Sequence, residues 1–271
     1  MITLGSIGYD EMFEGRTNFK YNDDTIRYAK QAIAAMEAGK TGNTYGLFGW
    51  SFKDKATATA ELNLTIGYLT QRALNNKAGA APFLYKVTQS GTAAAKNPVP
   101  YELIGQYYFE ELNKVVEKIK AAEATQSPND TVEVAQKKVD DIKALVAVAN
   151  GTAERAMDAF SRAFTNAEAK AVDYKKQMKA NVEAAYKLRF GKTDGLDNWI
   201  ASVATKPFPN PTSPITPISD PEPVNTATTS STASTSQPAA AVETAKPVPA
   251  AKPAPAAKAA STKTVAKKKT R

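Results

Sequence analysis

Phe160, Phe164, Ala167, Ala171, Tyr174, Met178, Val182 and Ala185 recur at intervals of three and four, the spacing that gathers side chains on one face of an α-helix. No other feature constrains the chain as strongly. Counted from Thr152 the stripe spans more than 30 residues, and at about 1.5 Å per residue a helix of that length runs roughly 45 Å. It predicts an all-α fold, an elongated hairpin or bundle with one long C-terminal helix. Alanine dominates the face and buries less area per residue than leucine. Helices can therefore approach closely, or the face can settle on an apolar, lipid-like surface. Phe160, Phe164, Tyr174 and Met178 are its candidates for an apolar surface or an oligomer contact.

Four further helices follow from the same periodicity. Residues 23–38 place Ile26, Ala29, Ile33 and Met36 on one side, with Asp23 and Asp24 as caps and Gly39 as a stop. Residues 54–75 align Ala58, Leu62, Ile66, Leu69 and Ala73, although Thr57, Thr59 and Thr65 dilute the helix propensity. Residues 101–124 carry the clearest pattern, Ile104, Tyr108, Leu112, Val115, Ile119 and Ala122. After the break at residues 127–130, Asp130 with Glu133 resembles a capping box that starts a helix running to about Ala149, where Asn150 and Gly151 form a stop. Two stretches read differently. Residues 82–88 contain Phe83, Leu84, Tyr85 and Val87, which suits a short strand or an extended connection. Residues 42–52, GNTYGLFGWSF, alternate glycines with large aromatics. They are expected to form a loop packed on an apolar surface, or an aromatic anchor that docks into a partner or an apolar surface.

Proline and charge divide the chain. Twelve of its 16 prolines lie from Pro207 onward, where Phe208 is the sole aromatic residue. Such a segment lacks the apolar side chains that offset the entropy of ordering, and disorder is expected there. Residues 206–271 carry a net charge of +6 and the preceding body +2. The organisation predicted is an N-terminal helical region with the Gly/aromatic loop over 1–100, an amphipathic bundle over 101–205, and a basic Pro/Ala/Lys-rich tail over 206–271. From Ala245 the tail holds seven lysines and Arg271, with no acid after Glu243. It can neutralise phosphates by counterion release without reading bases. Lys263, Lys267, Lys268, Lys269 and Arg271 are the candidates for contact with nucleic acid or another polyanion.

Cysteine and histidine are both absent, which excludes disulfides, thiolate nucleophiles, the usual zinc sites and the commonest general base. Residues 34–41, AAMEAGKT, end like a phosphate-binding loop, but Ala34 replaces the first glycine and a helix precedes Gly39 where the device needs a strand. Glu110 with Glu111 and Asp140 with Asp141 are helix neighbours about 100° apart, unable to share a proton across a site. The lysine pairs at 137–138 and 175–176 alternate with acids as on a solvated face. No enzyme, cofactor or metal is expected. The first 15 residues have no basic or apolar leader region, and nowhere do 18 apolar residues run together. A cytoplasmic protein without a transmembrane segment is expected, and the sequons at Asn63, Asn129 and Asn150 carry no weight.

The alanine-rich segment 153–188, with AMDAFSRAFTNAEAKAVDYKKQMKANVEAAYKL at its centre, and the AAKPAPAAK tail resemble bacterial phasins. The resemblance covers less than half the chain and leaves residues 1–100 aside. It implies helices lying on a hydrophobic polyhydroxyalkanoate granule, homo-oligomers formed through a coiled segment, and a lysine-rich tail joining granules to nucleic acid. The competing reading is a virion, nucleoid or scaffold protein whose helical body self-assembles while the tail holds DNA or RNA. In it the Tyr45 to Phe52 loop becomes an assembly contact.

Overall fold

A computed structural model describes residues 1–13, 18–40 and 42–220. Among these the α-helices are, in order, α1 (Ile7–Phe13), α2 (Asn22–Glu37), α3 (Lys55–Arg72), α4 (Lys77–Thr88), α5 (Pro98–Glu123), α6 (Val132–Asn166), α7 (Val172–Phe190) and α8 (Leu196–Val203). Single 3₁₀ turns lie at Thr3–Gly5 and Ala93–Lys96, and a small antiparallel hairpin pairs β1 (Tyr45–Leu47) with β2 (Trp50–Phe52). The chain adopts the all-α architecture its periodicity predicts, with α6 as the long helix at about 52 Å. No helix among the described residues is long and apolar enough to cross a membrane.

Local signals set most boundaries. Asp54 caps α3 by accepting from the Thr57 N–H at 2.7 Å, and Asn97 caps α5, whose first residue is Pro98. Gly39, at φ 74°, follows α2 as the left-handed residue that ends a helix. Thr131, rather than Asp130, caps α6. Asp130 instead accepts from the Ser127 N–H at 3.1 Å and from Lys138 at 2.7 Å, folding the α5–α6 connection onto itself.

Three expectations are corrected. Asn150 and Gly151 do not stop a helix; α6 runs through them because both are buried and occupied. A Cβ on Gly151 would lie 2.2 Å from the carbonyl oxygen of Thr216, so glycine serves there as room for a second strand of backbone. The long apolar stripe is not one helix either, because the chain turns at residues 167–171. Ala167 is extended, and the Lys175 ammonium reaches back to the Phe164 carbonyl at 2.9 Å, satisfying the end of α6. Finally, residues 82–88 are helical. Ala80, Leu84 and Val87 fall on one face and are buried, with Leu84 seated against Gly67 of α3. Tertiary packing overrides the β-propensity of the run and accommodates Pro82 inside α4.

A single cluster of buried apolar residues extends from Tyr9 through Leu103, Phe160 and Val182 to Phe208, so residues 1–100 and 101–205 share one core. Within it α3 packs on α4, α4 on α5, α5 on α6 and α6 on α7.

Candidate functional site

The hairpin pairs Tyr45 with Phe52, Gly46 with Ser51 and Leu47 with Trp50, leaving Phe48 and Gly49 as the two loop residues. Phe48 has φ 57°, the positive value that the first loop position of a II′ turn demands and that glycine normally supplies. Here the aromatic residue takes the glycine position while Gly49 stands beside it. Phe48 is 89% exposed and Leu47 63% exposed, and Leu4 is also exposed. The Thr3 hydroxyl accepts from the Leu47 N–H at 3.0 Å, which brings the Leu4 segment to the same end of the molecule. Below the tip the hairpin is firmly rooted. Trp50 meets Tyr9 edge-on at 6.1 Å and Phe52 at 5.6 Å, and Tyr9 in turn meets Tyr68 of α3 at 5.3 Å. A rigid aromatic base thus holds two large apolar side chains out into solvent.

The apolar candidates named from the sequence lie elsewhere. Phe160, Tyr174 and Met178 are buried in the core, and Phe164 is half-buried beneath the Lys175 ammonium, 4.5 Å from its ring centroid. Phe160 lies so close to Gly105 of α5 that a Cβ there would come within 2.6 Å of its ring. These four side chains hold α5, α6 and α7 together rather than forming an outer surface. Lys263, Lys267, Lys268, Lys269 and Arg271 lie outside the described residues.

Residues 206–220, expected to be disordered, instead form an extended strap against α6. Three arginines hold it. Arg162 donates to the Val203 and Lys206 carbonyls at 2.8 and 2.6 Å while paired with Asp158 at 2.6 Å. Arg155 donates to the Asn210 carbonyl at 2.8 Å and the Pro214 carbonyl at 3.2 Å. Arg189, itself almost fully buried, bridges Glu154 at 3.1 Å and Asp220 at 2.7 Å. Phe208 is buried against Tyr101 and Tyr85, and the Ile218 N–H donates to the Ala147 carbonyl at 2.8 Å. Proline has no backbone N–H, so in this proline-rich segment arginine side chains donating to backbone carbonyls take over the work of a hydrogen-bonded ladder.

The main buried carboxylates are structural. Glu102 accepts from Arg72 at 3.0 Å and from Gln106 at 2.8 Å, yet burial pushes its pKa above the ordinary value because desolvation outweighs the Arg72 charge. Asp158 is raised for the same reason despite Arg162. The Tyr174 hydroxyl beside Glu102 is raised well above the usual phenol range, first by burial and then by the Glu102 charge. Comparison with known proteins finds no match among family models, curated proteins or solved structures.

Proposed function

We propose that this chain is a noncovalent coating or tethering protein that turns over no substrate. In this reading it attaches to an apolar particle surface through its hairpin tip and to nucleic acid through its C-terminal basic residues. The observation that carries it is Phe48, a large aromatic residue held in solvent at a backbone angle that costs about 1–3 kcal/mol for a non-glycine residue. Strain of this kind persists where the surrounding structure enforces it, and here it serves to project the ring. The proposed surface is that of a hydrophobic storage granule in the cytoplasm, as the phasin resemblance implies. The attachment point is the Leu47 and Phe48 tip with Leu4, since Phe160, Tyr174 and Met178 are committed to the core. Lys263, Lys267, Lys268, Lys269 and Arg271 supply the polyanion contact, anchored to the body by the arginine-held strap.

The test uses the full chain, a Phe48→Asp variant and a variant with the five basic residues neutralised, each mixed separately with polyhydroxyalkanoate granules and with duplex DNA. Phe48→Asp is expected to lose sedimentation with granules and keep DNA binding, and the neutralised variant to do the reverse. Granule binding by Phe48→Asp equal to that of the unaltered chain would sink the anchor. DNA binding unchanged by neutralisation would remove the tail from the mechanism.

A further inference from the structure

The three arginines under the strap differ in how their charge is met. Arg162 is paired with Asp158 at 2.6 Å, and Arg189 with Glu154 at 3.1 Å and Asp220 at 2.7 Å. Arg155 forms no ion pair among the described residues. Its partners are all uncharged: the Tyr108 hydroxyl at 3.1 Å, the Asn210 carbonyl at 2.8 Å, the Pro214 carbonyl at 3.2 Å and the Ser213 hydroxyl at 3.2 Å. A guanidinium keeps its proton at any physiological pH, and one that is half-buried ordinarily finds an anion. Here that anion is missing.

Ser213 is the place where one can be added. Both Nη1 and Nη2 of Arg155 donate to its Oγ at 3.2 Å, a forked approach that suits two acceptor oxygens better than one hydroxyl. The residue is exposed, in a turn that its own N–H closes on the Asn210 carbonyl at 3.1 Å. The neighbouring Thr212 hydroxyl is directed instead to the Asn210 side-chain oxygen at 2.8 Å. We propose that Ser213 is a phosphorylation site and that Arg155 receives its phosphoryl group, which locks the strap onto α6. In the modifying step Ser213 Oγ attacks the γ-phosphorus of a nucleoside triphosphate held by a serine kinase. The new Oγ–P bond replaces the bond to the bridging oxygen, nucleoside diphosphate leaves, and the hydroxyl proton passes to the kinase. The product carries nearly two negative charges at neutral pH and three acceptor oxygens, two of which can take Nη1 and Nη2. Modification removes the bond from Ser213 Oγ to the Asn210 carbonyl, but that carbonyl keeps the Ser213 N–H and Arg155 as donors.

The first test is phosphopeptide mapping of the full chain isolated from the cells that make it, with phosphoserine expected at position 213. A chain without phosphate there would overturn the assignment. The receptor is tested on full chain carrying phosphoserine at position 213 from its synthesis. Phosphorus NMR is expected to place the second phosphate pKa below its ordinary value of about 6 in the folded chain and at about 6 in urea. The guanidinium favours the dianion only while the strap is seated. Arg155→Gln should return the folded value to about 6. Phosphorylation should also slow cleavage within residues 206–220 about tenfold when Arg155 is present, and leave it unchanged in Arg155→Gln. Equal pKa values in the folded and unfolded chain, or cleavage that phosphorylation leaves unchanged or speeds with Arg155 present, would overturn the lock. The comparison of folded with urea-unfolded chain needs no substitution, so it decides the matter even where Arg155→Gln fails to fold.

Discussion

Phe48 and Glu102 each sit in an environment that opposes their chemistry, one through backbone strain and the other through burial. Glycine accepts φ 57° without penalty. Phe48→Gly is therefore expected to leave the chain as stable as before, or to raise its stability by up to about 1 kcal/mol, read as the denaturation midpoint. The same change is expected to weaken granule association by about 2 kcal/mol, roughly 30-fold, because no aromatic ring is then buried in the particle surface. A substitution that keeps stability while removing binding marks a residue held for contact rather than for folding. For Glu102 the sign follows from its raised pKa. The folded state favours the neutral carboxyl, so its share of stability is fully present below the ordinary value of about 4.5 and is lost as pH rises through the folded value. Glu102→Gln is neutral at every pH. Its melting temperature relative to the unaltered chain should therefore rise between acid and neutral pH, and a difference that shrinks over this interval would contradict the assignment.

At the scale of elements, the strap and α6 depend on each other. Gly151→Ala raises the helix propensity of α6 by up to about 1 kcal/mol, but its Cβ would meet the Thr216 carbonyl at 2.2 Å. The strap must then move. The expected result is faster proteolytic cleavage within residues 206–220 while the far-ultraviolet helix signal is kept. Arg189→Ala should act in the same direction by leaving Glu154 and Asp220 without their shared partner. Cleavage no faster than in the unaltered chain would show that neither interaction holds the strap.

Taken whole, the described residues combine a rooted apolar tip with a strap held on the helical body by three arginines. Neutralising Lys263, Lys267, Lys268, Lys269 and Arg271 should flatten the salt dependence of DNA binding, by about 0.9 in logarithmic slope for each phosphate the tail no longer neutralises. A slope that stays unchanged would assign the phosphates to other residues. Granule binding should be unaffected by the same substitutions.

Helix identity was largely legible in the sequence because periodicity and caps are local. The spacing of Ile26, Ala29, Ile33 and Met36 with Gly39 beyond marks α2, and the run from Ile104 to Ala122 marks most of α5. The turn within Tyr45 to Phe52 was also legible, since glycines between large rings are a turn signal, although the two short strands that flank it were not. The sequence could not decide which apolar stripes face inward, because burial depends on what another part of the chain lays against them. Phe160, Tyr174 and Met178 form the same kind of stripe as Val132, Val139 and Val146, yet the first three are packed in the core between α5, α6 and α7 while the valines stay exposed. Nor could Asn150 and Gly151 declare themselves helical, or residues 206–220 ordered. Each depends on the other across more than 50 residues of chain, through hydrogen bonds and a close backbone approach that only the tertiary fold creates.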